Sequence, residues 1–155
     1  VNPLFDHCIA SKWEDLQSRY KFSLPNTLDN IQLARTETKL KMRINSSLRE
    51  KKRYKFWTGG SAHDVGKAID IQILTKNDKD YLTVMDFFIE NKHLLKPNTR
   101  CILEWSGNRP WLHVDSGFKN YSGFYIMYPV GRRKRNGKYK MAFKVYEGKL
   151  PYEYL

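Results

Sequence analysis

Residues 61–74, Ser-Ala-His-Asp-Val-Gly-Lys-Ala-Ile-Asp-Ile-Gln-Ile-Leu, change their pattern halfway, and that change decides the fold. From Lys67 onward the apolar residues alternate. Ile69, Ile71 and Ile73 point one way and Ala68, Asp70 and Gln72 the other, which is the period of a strand. Before the strand, Gly66 permits a tight turn. Asp70 stands between two isoleucines, where an unpaired charge costs several kcal/mol, so it requires a partner or a metal.

A second strand has the same anomaly. In Trp111-Leu-His-Val-Asp115 the histidine lies between two apolar residues, and alternation puts Trp111, His113 and Asp115 on one face. If the two strands share a sheet, Asp70 and His113 face a common point. A third ligand is expected from His63. On a continuous helix, seven residues would separate His63 from Asp70 by about 10.5 Å of rise, too far for one ion. A turn at Gly66 instead folds His63 back over the start of the Asp70 strand. Two imidazoles and one carboxylate leave a fourth position open for water, the arrangement of a catalytic zinc.

Such a site also needs a general base. Glu104, at the end of the apolar run Cys101 to Leu103, is the leading candidate, and Asp115, two residues past His113, is the alternative. His7 and His93 fall on or near helix segments and carry no motif. Ser46, Ser47 and Ser106 sit in no nucleophile elbow. Trp105 and Trp111 flank the expected cleft.

Around these strands the pattern reads as α+β, with helices packed on a central antiparallel sheet. A first helix is expected over Asp6 to Tyr20. A second begins with Thr27 as its N-cap and runs to about Leu40 with Leu28, Ile31 and Ala34 on one face. Met42 to Leu48 is extended, and a basic loop follows from Arg49 to Lys55. A third helix, about Asp80 to Leu95, covers the sheet with Leu82, Met85, Phe88 and Ile89. CILEW and WLHVD form two strands joined by SGNRP. Residues 124–146 form a basic hairpin around Asn136-Gly137, a strong turn signal. There is neither a repeat nor a linker, so residues 1–155 read as one domain.

The chain has 155 residues, 41% of them hydrophobic, enough for a packed core. No apolar run approaches the roughly 18 residues of a membrane span. The stretch VNPLFDHCIASKWEDLQ lacks the basic-then-apolar layout of a secretory signal. Cys8 and Cys101 form no CxxC pair, which excludes a cysteine-built zinc site. The net charge of +12 attracts polyanions, whether nucleic acid, anionic membrane or anionic wall polymer. No helix-turn-helix, zinc-finger or RNA-recognition signature accompanies it.

The residues from Ser61 to Ile71 resemble the Ser-x-His-x-x-Gly-x-Ala-x-Asp motif of the zinc D-alanyl-D-alanine carboxypeptidases. The same motif marks their L-alanyl-D-glutamate endopeptidase relatives, and hedgehog signalling domains have a similar metal site. WLHVD resembles the second motif of those families, and INSSLR (Ile44 to Arg49) a strand ending in a substrate-binding arginine. The resemblance covers roughly Ile44 to Asp115 and is best to the compact, phage-associated branch. It implies His63, Asp70 and His113 as ligands of Zn2+, with Arg49 and Ser61 at the substrate. It implies hydrolysis of stem peptides in bacterial peptidoglycan by a phage lysin or virion-associated hydrolase, acting from the virion or from host cytoplasm after release to the wall. Two positions depart from the pattern. Pro110 stands where many members carry the catalytic acid, and Trp111 where others carry a further histidine; both shift the base role to Glu104. These departures leave open a zinc-holding wall-binding module without activity. The charge leaves open a basic nucleic-acid-binding domain.

Overall fold

A computed structural model describes residues 24–46, 61–105 and 109–148. In chain order the elements are α1 (Leu24–Thr38), β1 (Met42–Ser46), β2 (Ala68–Ile73) and α2 (Lys79–Glu90), which ends in a short 3-10 turn, Lys92–Leu94. Then come β3 (Thr99–Trp105), β4 (Pro110–Ser116), β5 (Gly123–Val130) and β6 (Lys140–Val145). The expected first helix over Asp6 to Tyr20, the basic loop Arg49 to Lys55 and Cys8 lie outside the described residues.

The six strands form one sheet in the order β1-β2-β4-β3-β5-β6. The fold is α+β as expected, but the sheet is mixed where an antiparallel one was expected. Every neighbouring pair is antiparallel except β3 and β5, which run parallel. The cause is a crossing. β4 already has β2 on one edge and β3 on the other, so β5 cannot pair with it and adds at an outer edge, beyond β3. Reversing direction after β4 then makes it parallel to β3.

The main core lies on the face that the helices cover. Ile69, Ile71 and Ile73 of β2, at most 2% exposed, pack with Leu112, Val114, Cys101 and Leu103 under the two helices. Each fully buried side chain of this kind contributes about 1.5–3 kcal/mol. α2 presents Tyr81, Val84, Met85 and Phe88 to the sheet. The expected stripe was rotated: Leu82 and Ile89 are only half-buried, because Tyr81 turns inward and its hydroxyl accepts the Ile73 backbone N–H at 3.0 Å.

α1 also starts earlier than its sequence implied. Pro25 sits in its first turn, where a missing N–H costs nothing. Thr27 is therefore inside the helix rather than its cap, and its hydroxyl donates to the Lys67 carbonyl at 2.8 Å. Buried Asn30 donates to Thr99 Oγ1 (2.8 Å) and Ser116 Oγ (3.2 Å) and accepts from the Lys96 backbone N–H (3.0 Å). These two polar residues tie the helix to the start of β2, the start of β3 and the end of β4. That leaves the opposite face of the sheet free of helices among the described residues.

A candidate metal centre

The turn before β2 is built by its own side chains. The Ser61 backbone N–H donates to Asp64 Oδ2 (2.9 Å), and the His63 N–H donates to Ser61 Oγ (3.2 Å). Gly66 N–H then closes on the His63 carbonyl (3.2 Å) and Lys67 N–H on that of Ala62 (2.9 Å). Gly66 has φ +71, the left-handed conformation that glycine adopts without strain. Ala62, Ala68 and Phe118 pack beneath the turn. His63 is thereby folded back over β2, as the spacing required.

The strand register does the rest. Asp70 on β2 is the direct partner of His113 on β4, and both point away from the helices. His63 Nε2 lies 3.1 Å from Asp70 Oδ1, and His113 Nδ1 lies 3.2 Å from the same oxygen. The two rings meet edge to face with centroids 4.9 Å apart. All three ligand atoms lie within 4.8 Å of one another, and the residues are at most 9% exposed. Bonds of about 2.0–2.1 Å to one tetrahedral ion put neighbouring ligand atoms about 3.3 Å apart. The two separations from Asp70 Oδ1, 3.1 and 3.2 Å, are hydrogen-bond distances that lie close to this spacing, and the group could hold a metal.

The far side of His113 is paired as well. Its Nε2 lies 2.7 Å from Asp115 Oδ2, and that oxygen also accepts Arg100 Nε (2.9 Å) and Nη2 (2.6 Å). Asp115 is fully buried, and its Oδ1 has no hydrogen-bond partner among the described residues. A carboxylate on each side of one imidazole demands a proton on each nitrogen or a cation in place of one. Burial lowers the His113 pKa, but the hydrogen bonds that its ring donates to Asp115 and Asp70 outweigh it and push the pKa up to about 9. Burial likewise acts to raise the Asp70 pKa, yet its bonds to His113 and His63 hold it well below the usual carboxylate range. His63, Asp70 and His113 would hold a divalent ion; its binding would replace one His113 proton and leave the Nε2–H donated to Asp115, the common partnership of a metal-ligating histidine.

Glu104 stands on β3, on the same face, as the cross-strand partner of Trp111. That makes it the diagonal neighbour of His113, with backbones about 7–8 Å apart. It is half-buried. Trp111 shares this face. Trp105, expected beside the cleft, points the other way and packs against the core. Ser61 Oγ supports the turn that carries His63, whatever else it contacts. His93 is exposed in the 3-10 turn, and Arg49 lies outside the described residues. Sequence reasoning passed over Arg100. The signal for it was alternation, since Arg100, Ile102 and Glu104 must share a face. No family model matches the chain, and neither any curated protein nor any solved structure matches it.

Proposed function

We propose that the protein is a zinc peptidase acting on the stem peptides of bacterial peptidoglycan. The observation that carries this reading is the convergence of His63 Nε2, His113 Nδ1 and Asp70 Oδ1 from a turn and two paired strands. Two imidazoles and one carboxylate are a zinc donor set, and three protein ligands leave a fourth position for water or substrate. The substrate class rests on the resemblance of Ser61, His63, Gly66, Ala68 and Asp70 to the D-amino-acid peptidase motif. Bound zinc would acidify a water molecule and polarise the scissile carbonyl.

The chain's own groups divide the remaining work. Glu104, about one side-chain length from the ligand cluster, takes the proton of the attacking water and delivers it to the leaving amine. Asp115 is occupied behind the His113 ring by Arg100 and by Nε2, so its part is to orient the ligand. Ser61 and Arg49 bind the substrate in this reading.

The test is bound zinc by elemental analysis in the wild type and in His63→Ala, followed by digestion of purified peptidoglycan. About one zinc per chain, lost in the variant, with new amino termini released from the wall, is the expected result. Wild-type protein that takes up no divalent ion after reconstitution refutes it. Pro110 and Trp111, where relatives of the motif carry catalytic groups, favour one second reading, a module that holds zinc without hydrolysis. Full zinc occupancy with no release of amino termini would select it.

A further inference from the structure

From Ser116 to Tyr146 the chain carries eight lysines and arginines and not one aspartate or glutamate, within a total net charge of +12. Six of the eight, Arg132, Arg133, Lys134, Arg135, Lys138 and Lys140, stand at the turn between β5 and β6, and all are exposed. The turn has a defined shape. Arg133 Nε donates to the Gly137 carbonyl (2.8 Å), Lys134 N–H to the Lys138 carbonyl (2.7 Å), and Gly137 has φ +80. Among the described residues, no acidic group pairs with any of the six. Like charges held this close repel one another, and a bound polyanion removes that cost.

A charged turn alone is usually only solvated. Here it stands beside an open apolar face. Tyr125 and Met127 of β5 and Phe143 and Val145 of β6 project from the side of the sheet opposite the helices. Phe143 is 52% and Val145 65% exposed, and the Tyr125 and Phe143 rings stack at 4.9 Å. The register joins this face to the metal cluster. One row across the sheet runs Asp70, His113, Ile102, Tyr125, Val145, and the next runs Trp111, Glu104, Met127, Phe143. At about 4.8 Å per strand, Phe143 lies about 10 Å from Glu104.

We propose that the β5–β6 hairpin and its open face dock a phosphodiester-linked polyol chain of the bacterial wall, holding the enzyme alongside the stem peptide it cuts. The choice of a wall polymer rests on the peptidase reading; the affinity for a polyphosphate chain does not. The face itself disfavours single-stranded nucleic acid, which needs a series of separate ring platforms for successive bases. Here the two rings cover each other, and their neighbours are Met127 and Val145. A polyol phosphate has no bases and requires only spaced cations above an apolar floor.

The experiment titrates the zinc-loaded full chain with purified poly(glycerol phosphate) at several salt concentrations, with oligothymidylate of equal charge as comparison. The variants are the triple Arg132→Gln, Arg135→Gln, Lys138→Gln, whose side chains make no turn bond, and Phe143→Ser. Polymer binding that weakens at least tenfold and loses salt dependence in the triple variant is expected. In Phe143→Ser it should weaken severalfold with its salt dependence kept. Equal binding by wild type and triple variant, or tighter binding to oligothymidylate than to poly(glycerol phosphate), overturns the proposal. Zinc content and digestion of polymer-stripped peptidoglycan, measured on the same samples, separate the two readings. Digestion without polymer binding sinks the docking alone, and polymer binding by protein that digests nothing sinks the peptidase alone.

Discussion

Replacing Asp115 by asparagine tests whether the carboxylate behind His113 sets up the metal site. Asp115 Oδ2 receives three N–H groups within 2.9 Å, one from His113 and two from Arg100, at a fully buried position. An asparagine there has one oxygen and one NH2. If its oxygen stays on His113 Nε2–H, the bonds from Arg100 lose their charge. If the NH2 faces His113, the ring must carry its proton on Nδ1, where it blocks the metal. Leaving one buried donor unsatisfied costs about 1–3 kcal/mol. Loss of such an outer partner lowers metal affinity about 10–100-fold, or about 1.4–2.7 kcal/mol. Competition with a chromophoric chelator measures zinc affinity directly, and cobalt absorption reports the geometry of the ligands. Affinity within twofold of wild type, with an unchanged cobalt spectrum, would refute the orienting role and return Asp115 to the list of possible bases.

The raised His113 pKa predicts how the metal-free protein responds to pH. The group goes from 6.5 when unfolded to about 9 when folded, so its contribution of about 3 kcal/mol is complete below pH 6.5 and is lost as pH rises to about 9. Chemical denaturation of metal-free protein from pH 6 to 9.5 should show that fall, and a flat profile contradicts it. Zinc binding near pH 7 should release about one proton per ion as it displaces the Nδ1 proton, seen as a buffer-dependent heat in calorimetry. Glu104→Gln should cut peptidoglycan digestion by about 10²- to 10⁴-fold with zinc content unchanged; activity within fivefold of wild type removes Glu104 from the base role. Gly66→Ala places a side chain at φ +71 and should cost about 1–2 kcal/mol in thermal or denaturant unfolding, together with weaker zinc binding. A variant as stable as wild type would show that the turn does not depend on that conformation.

Local patterns were legible wherever physics acts along the chain. The alternation of Ile69, Ile71 and Ile73 marked β2 and its buried face, and Asn136-Gly137 marked the last hairpin. Asp70 and His113 drew notice because each is polar at a position flanked by apolar residues, and the glycine at 66 made the return of His63 feasible. Less was legible where the outcome depends on a distant partner. Thr27 has the composition of a cap, yet the Lys67 carbonyl, forty positions away, claims its hydroxyl. The α2 stripe shifted because Tyr81 found the backbone of Ile73.

The sequence by itself determined which residues are chemically out of place and which side of each strand they occupy, because side-chain alternation is a property of the backbone alone. Only the tertiary structure decided that Asp70 and His113 are direct partners, that Arg100 and Asp115 close behind the ring, and that β5 lies parallel to β3. Strand order and register come from competition among edges for hydrogen bonds and for the shared core. That competition is settled between segments far apart in the chain, so no local stretch contains it.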